Sequence, residues 1–200
     1  MASHLFISNL FTEPTFFFRI VVILIVSVCL HELGHGFAAI SQGDRTPIET
    51  GHMTANPIVH MGWPSLVMLF LAGIVWGQMP VNPSQFRSQK WGNIWVSAAG
   101  PLVNLGLALT SVMILHLFGK FSAISLEFFY LAAQINFVLF IFNLLPIPPL
   151  DGFHICSEFF PSLRPLRDSA FGLFGFMILF YTGAFGALYS IADLAIKALV

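Results

Sequence analysis

Apolar residues along this chain come in long blocks rather than in alternation. A helix needs about 20 of them in a row to cross a hydrocarbon core of about 30 Å. Four blocks meet that length and predict spans at about Phe16 to Ile40, Ile94 to Phe118, Leu126 to Leu145 and Ala170 to Ile196. Arg19 and the polar cluster His31-Glu32-Leu33-Gly34-His35 interrupt the first. Pro146, Pro148 and Pro149 end the third. Gly172, Gly175, Gly183 and Gly186 punctuate the fourth and allow close helix contact.

A fifth apolar run, Leu66 to Trp76, is too short to cross. As helix it rises about 17 Å. Pro64 precedes it, and Gly77, Pro80 and Pro83 follow, which marks a re-entrant or interfacial segment. Residues 41–63 are polar and turn-rich, with Gly43-Asp44, Thr46-Pro47 and Asn56-Pro57. Their short alternating stretches predict a small membrane-associated β-hairpin. Non-helical backbone at membrane depth is tolerated only against protein or water, so a wet cavity is expected.

Composition narrows the class. The chain has 200 residues, of which 57% are hydrophobic and 8% charged, with 23 Phe. Soluble domains carry about 25% charge, so a water-covered globule and a disordered chain are both excluded. A net charge of −1 argues against a nucleic-acid partner. The expected fold is an all-α polytopic membrane protein of about four transmembrane helices, with the re-entrant segment and the hairpin, in one domain over 1–200. Cys29 and Cys156 form no Cys-x-x-Cys pair and carry no disulfide signal. No positive charge precedes Arg19 and no small-residue cleavage site follows the first run, so that segment is expected to stay in the mature protein.

Positive charges orient the spans. If the short run does not cross, Arg45, Arg87, Lys90, Arg164 and Arg167 share one side, and Arg19, Lys120 and Lys197 face the other. This places residues 41–93 in the cytosol and the chain as a multi-pass protein of the cell (inner) membrane.

His31-Glu32-Leu33-Gly34-His35 is an H-E-x-x-H sequence on a predicted helix. Positions i and i+4 lie about 40° apart around the axis, so both imidazoles can reach one zinc ion. Glu32 is about 100° from His31 and off the ligand face. It can still take a proton from water activated at the ion, as a general base for hydrolysis must. Bare five-letter matches also arise by chance. Within an apolar span, however, ionisable groups cost roughly 2.5–3.5 kcal/mol each, which packing does not justify and a metal does.

A catalytic zinc takes three protein ligands and keeps one position open. Asp151, Glu127, Asp193, Asp44, Glu49, Glu158 and the remaining histidines are candidates for the third. Asp151 is favoured: the prolines before it unwind the third span, and Gly152 permits a turn back toward the first. Parity agrees, because with Leu66–Trp76 re-entrant the first and third spans run the same way and Asp151 emerges near the histidines. Glu127 and Asp193 read as interfacial. His154 as a fourth ligand would close the open position. His52 and His60 read as solvent-exposed loop histidines rather than as groups at the mouth of the site, and His116 lies near the far end of its span.

These motifs resemble the site-2 protease family of intramembrane zinc metalloproteases. The likeness rests on His-Glu-Leu-Gly-His on a span, Gly100-Pro101-Leu102-Val103-Asn104 in the next, and Asn143-Leu144-Leu145-Pro146-Ile147-Pro148-Pro149-Leu150-Asp151-Gly152 closing the third. It covers roughly residues 20–155 and is similar to the compact prokaryotic branch without PDZ or CBS domains. The resemblance implies a catalytic core at about 16–155, with an additional C-terminal helix at about 170–196. It implies one Zn2+ per chain on His31, His35 and Asp151, Glu32 as catalytic base and Asn143 as support for the oxyanion. Asn143 could instead terminate its helix, and Asn104 could line the site or bridge helices. Asn56-Pro57-Ile58-Val59-His60 and Pro80-Val81-Asn82-Pro83 also match the branch, but Met61-Gly62-Trp63-Pro64-Ser65 departs from its usual Ile-Asp-Pro-x-Gly.

The implied activity is hydrolysis of peptide bonds in or near transmembrane segments of single-span membrane proteins within the lipid bilayer, from a site toward the cytosol. A non-catalytic zinc-binding scaffold has no need of Glu32. A metal transporter needs polar groups through the full membrane depth, whereas the cluster here is single. Another H-E-x-x-H protease family would use a glutamate such as Glu158 as third ligand. Substrate identity and oligomeric state are not legible.

Overall fold

The computed structural model describes residues 5–118, 126–167, 175, 177 and 181–199. Its regular structure is helical, with no strand among the described residues. Three helices are long and apolar enough to cross a membrane: α1 (Pro14–Ser41), α3 (Gln89–Phe118) and α4 (Leu126–Asn143). Between them lies α2 (Pro57–Ala72), after them α5 (Asp151–Phe159) and α6 (Ala184–Leu199).

α1 is the central rod. Pro14 opens it, where the missing N–H costs nothing. Its 28 residues rise about 42 Å. Phe17, Val21, Ile23, Val28, His31, Glu32, His35, Ala38 and Ala39 are all buried, around more than one face of the helix. α3 packs on it where residues are small. A Cβ at Gly34 would stand 2.8 Å from Val103 Cγ2 and 3.1 Å from Ala99 O, so glycine sets this approach. Ala38, Ala39, Val96 and Ala99 continue the seam to the end of α1.

Two contacts fix helix direction. Arg87 N donates to Gln42 O at 2.9 Å, so α3 starts where α1 ends and the two are antiparallel. Arg19 pairs with Glu127, so α4 starts where α1 starts and the two run parallel. The parity expected from the sequence is therefore present in the helix packing, and the chain after α4 emerges beside the second half of α1.

The short apolar run goes out and comes back. α2 opens with Asn56 accepting from Ile58 N and with Pro57 in its first turn. Gly62 breaks it at φ +65°. From Ser65 the helix descends along α1: Leu66 packs near Val28 and Cys29, and Leu69 against Phe17 and Val21. Gly73 ends it in the left-handed region, and the chain returns. Ser65 Oγ donates to Trp76 O at 2.6 Å and accepts from Trp76 N at 2.9 Å. Gln78 N then donates to His60 O at 2.9 Å. Residues 60 and 78 are thus at the same end of the excursion.

The hairpin expected over 41–63 is not formed. Thr46–Glu49 is a short helix with Pro47 in its first turn, and the segment from Pro57 is already α2. Asn-Pro reads as a turn in a strand context, yet the same pair is a helix cap followed by a first-turn proline. Asp44, fully buried, accepts from Thr46 N at 2.9 Å and Asn82 N at 2.7 Å and ties this loop to the next.

The expected fourth span falls partly on residues outside those described. Its described part, α6, has 16 residues, about 24 Å of rise, and follows a turn at Gly183 with φ +70°. Leu188, Ala192 and Ile196 dock it on Ala108, Val112, Ala133 and Phe137 of α3 and α4.

Candidate active site

His31 and His35 stand one turn apart on the buried face of α1, their rings near-perpendicular with centroids 4.7 Å apart. Their Nε2 atoms are 3.0 Å from each other. Asp151 reaches them from the first turn of α5. Its Oδ2 lies 3.2 Å from His31 Nε2 and its Oδ1 3.4 Å from His35 Nε2. α4 ends at Asn143, and the proline-rich turn with a cis Pro148-Pro149 bond carries the carboxylate back. Gly152 belongs to that turn: a Cβ there would overlap Leu144 O.

The other ring nitrogens set the chemistry of these three donors. His35 Nδ1 donates to Val96 O at 2.7 Å, and His31 Nδ1 to Asn104 Oδ1 at 2.6 Å. With both protons on Nδ1, both Nε2 atoms present lone pairs. Two lone pairs and a carboxylate facing one another at this range repel unless a positive charge sits among them. Tetrahedral zinc with bonds of about 2.0 Å separates its ligands by about 3.3 Å, close to the 3.0 Å between the two nitrogens and to the 3.2 and 3.4 Å from each nitrogen to its nearer carboxylate oxygen. Gly100 leaves the room. A Cβ at that position would lie 2.5 Å from His31 Nε2 and collide with His35 Nε2. The bare face of Gly100 thus borders the donor cluster.

Glu32 is buried, 6% exposed, on the neighbouring face of α1. That face is covered by the returning chain: a Cβ at Gly77 would stand 2.5 Å from Glu32 Oε1, and one at Gly36 would meet Met53 Sδ and Met79. The returning chain at Gly77 therefore walls the carboxylate, and Met53 and Met79 cover the same helix one turn on. Asn143, at the last turn of α4, donates its amide to Leu139 O at 3.0 Å within its own helix. In that rotamer it makes the helix-terminating bond that the sequence left open as an alternative.

Other acidic candidates are engaged elsewhere. Glu127 pairs with Arg19. Asp193 accepts from Tyr130 Oη at 3.0 Å and Gln134 Nε2 at 2.6 Å. Glu158 is buried with Arg164 at 2.8 Å, Arg167 at 2.5 Å and Asn93 at 3.0 Å. Asp44 caps its loops, and Glu49 is exposed. Among the described residues, the three-residue cluster fit to hold a metal ion is His31, His35 and Asp151.

One sequence reading changes. His60 is not a solvent-exposed loop histidine: it is fully buried in α2, its Nε2 donating to Thr54 O at 2.6 Å. His52 is half-buried and holds Thr50. Asn136 was not singled out at all, yet it is buried and accepts from Asn104 at 3.0 Å. The signal was there, an amide in the middle of an apolar span, where a polar residue has a partner or a role.

The comparisons with known proteins agree with this geometry. The model of peptidase family M50 matches residues 19–125 and 112–182. The chain is 36% identical over 175 residues to "Putative zinc metalloprotease YwhC" of Bacillus subtilis, covering 82% of this chain and 80% of that protein. It is 31% identical over 188 residues to "Putative zinc metalloprotease Rip2" of Mycobacterium tuberculosis, covering 86% of this chain and 71% of that protein. No solved structure matches. Three apolar helices, an H-E-x-x-H pair closed by a distant aspartate, and a family match along most of the chain lead to one conclusion: this chain belongs to peptidase family M50, the site-2 protease family.

Proposed function

We propose that this intramembrane zinc metalloprotease cleaves peptide bonds in or near transmembrane segments of single-span membrane proteins, with His31, His35 and Asp151 holding the zinc and Glu32 as the base. The observation that carries the reading is the donor cluster: two imidazole nitrogens 3.0 Å apart, each facing one oxygen of the Asp151 carboxylate at 3.2 and 3.4 Å, on helices that meet only in the fold. Zinc bound there supplies a Lewis acid for the scissile carbonyl and brings the pKa of water toward neutrality.

The chain's own residues do the rest. Glu32 takes the proton of the attacking water and later delivers it to the leaving amine. One of the two N–H donors of Asn143 is used at Leu139 O; the other serves the developing oxyanion. The return segment at Gly77 keeps bulk lipid and solvent off one side of Glu32, which strengthens its interactions. A helical substrate must unwind before cleavage, because its own hydrogen bonds shield the carbonyls.

In this proposal α2 and its return are a re-entrant segment, since both ends meet at His60 and Gln78. The site then lies toward the cytosolic side of the cell membrane, the side that holds Arg45, Arg87, Lys90, Arg164 and Arg167. A scaffold that binds zinc without cutting would not wall in a carboxylate beside it.

The test is cleavage of a panel of single-span proteins by the purified chain and by Glu32→Gln. The wild type should cut at least one, and the variant should fall by 10²-fold or more, on the order general-base removal costs. Equal cleavage by both removes Glu32 from the mechanism.

A further inference from the structure

Asn136 has no contact with the donor cluster, yet a directional chain of hydrogen bonds leads from it to His31. Its Nδ2 donates to Ala132 O at 2.9 Å in its own helix. That bond turns its Oδ1 outward, where it accepts from Asn104 Nδ2 at 3.0 Å. The same Nδ2 lies 3.5 Å from Ser27 O. With its nitrogen so engaged, Asn104 can only offer Oδ1 to His31 Nδ1, at 2.6 Å. The histidine must therefore carry its proton on Nδ1 and its lone pair on Nε2.

The chain crosses three helices, α4 to α3 to α1, and is dry throughout: Asn136 is 2% exposed and Asn104 0%. Reversing any amide sets two donors or two acceptors face to face and leaves buried polar groups unsatisfied. Asn104's own link to a backbone carbonyl, Ser27 O at 3.5 Å, is at the outer limit of a hydrogen bond and holds the amide only weakly. The second amide, tied to a backbone carbonyl that cannot turn, fixes its order.

We propose that Asn136 is a positioning residue for the metal site, which fixes the Asn104 amide and through it the tautomer and ring angle of His31. The proposal rests on the reading of His31 as a zinc ligand. It adds that this ligand is oriented from α4, the helix whose end also leads to Asp151.

The experiment measures zinc affinity by competition with a chelator, and the visible spectrum of the cobalt-substituted protein, for the full chain in detergent. Asn136→Leu should bind zinc about tenfold more weakly, within the range for partners behind a ligand, and should shift the cobalt spectrum. Asn136→Asp should restore both, since burial keeps that acid neutral, with an O–H for Ala132 O and an oxygen for Asn104. Asn136→Leu combined with Asn104→Ala should be no worse than Asn104→Ala alone. Gln134→Leu, on the same helix but bonded to Asp193, should leave affinity unchanged. If Asn136→Leu does not fold, Asn136→Met carries the same comparison. A folded variant with wild-type affinity and spectrum overturns the proposal. So does equal weakening by Gln134→Leu, or an Asn136→Asp protein as weak as Asn136→Leu. A wild type that binds no zinc, or His31→Ala that binds as tightly as wild type, overturns the ligand reading instead.

Discussion

Asp151 Oδ2 stands 3.2 Å from His31 Nε2, although the two residues belong to different helices and most of the core lies between them in sequence. The parallel run of α1 and α4, with antiparallel α3 between, brings them to one level. The candidate donor cluster is thus a product of topology and of the proline turn before α5. Asp151→Ala should leave the helices intact and abolish zinc retention. Glu158→Ala should retain zinc and lose stability instead, because it removes the buried carboxylate that pairs with both Arg164 and Arg167. Elemental analysis and thermal unfolding of the two variants separate these outcomes.

Gly100 makes a sharper geometric prediction. Gly100→Ala adds one methyl at a point where it meets both Nε2 atoms. Alanine is a better helix former than glycine by about 1 kcal/mol, so local propensity favours the variant. The expected result is a folded, helical protein with zinc affinity reduced at least tenfold. Chelator competition checks it. Unchanged affinity would mean that α3 is farther from the donors than described.

The out-and-back path of 57–79 sets the topology. Reporters fused near residues 45 and 85 should read the same side, and one near residue 120 the opposite side. Paired cysteine accessibility or enzyme fusions measure this. Opposite sides for 45 and 85 would turn the excursion into a crossing and undo the agreement between α1 and α4.

Much of this was legible before the fold was known, for physical reasons particular to each element. The three long helices follow from apolar length, and their observed bounds lie within a few residues of those expected. The H-E-x-x-H pair and Asp151 were legible because charge in an apolar span is expensive and proline stops a helix. The 41–63 loop is not legible in the sequence, because Asn56-Pro57 serves a turn and a helix start equally well and only the packing of α2 on Val28 and Phe17 decides. The burial of His60 is hidden for the same cause: it follows only from α2 forming and folding back on α1. Asn136 escaped because one amide in a span carries no motif, and its meaning lies in its bond to Asn104.

The central claim is one zinc ion held by His31, His35 and Asp151. Its most direct measurement is the zinc content per chain of the purified protein and of single-ligand variants. The wild type and Glu32→Gln should each carry one zinc per chain, and His31→Ala, His35→Ala and Asp151→Ala should carry almost none while remaining helical. Zinc absent from a folded wild type, or retained at full occupancy after loss of Asp151, would contradict it.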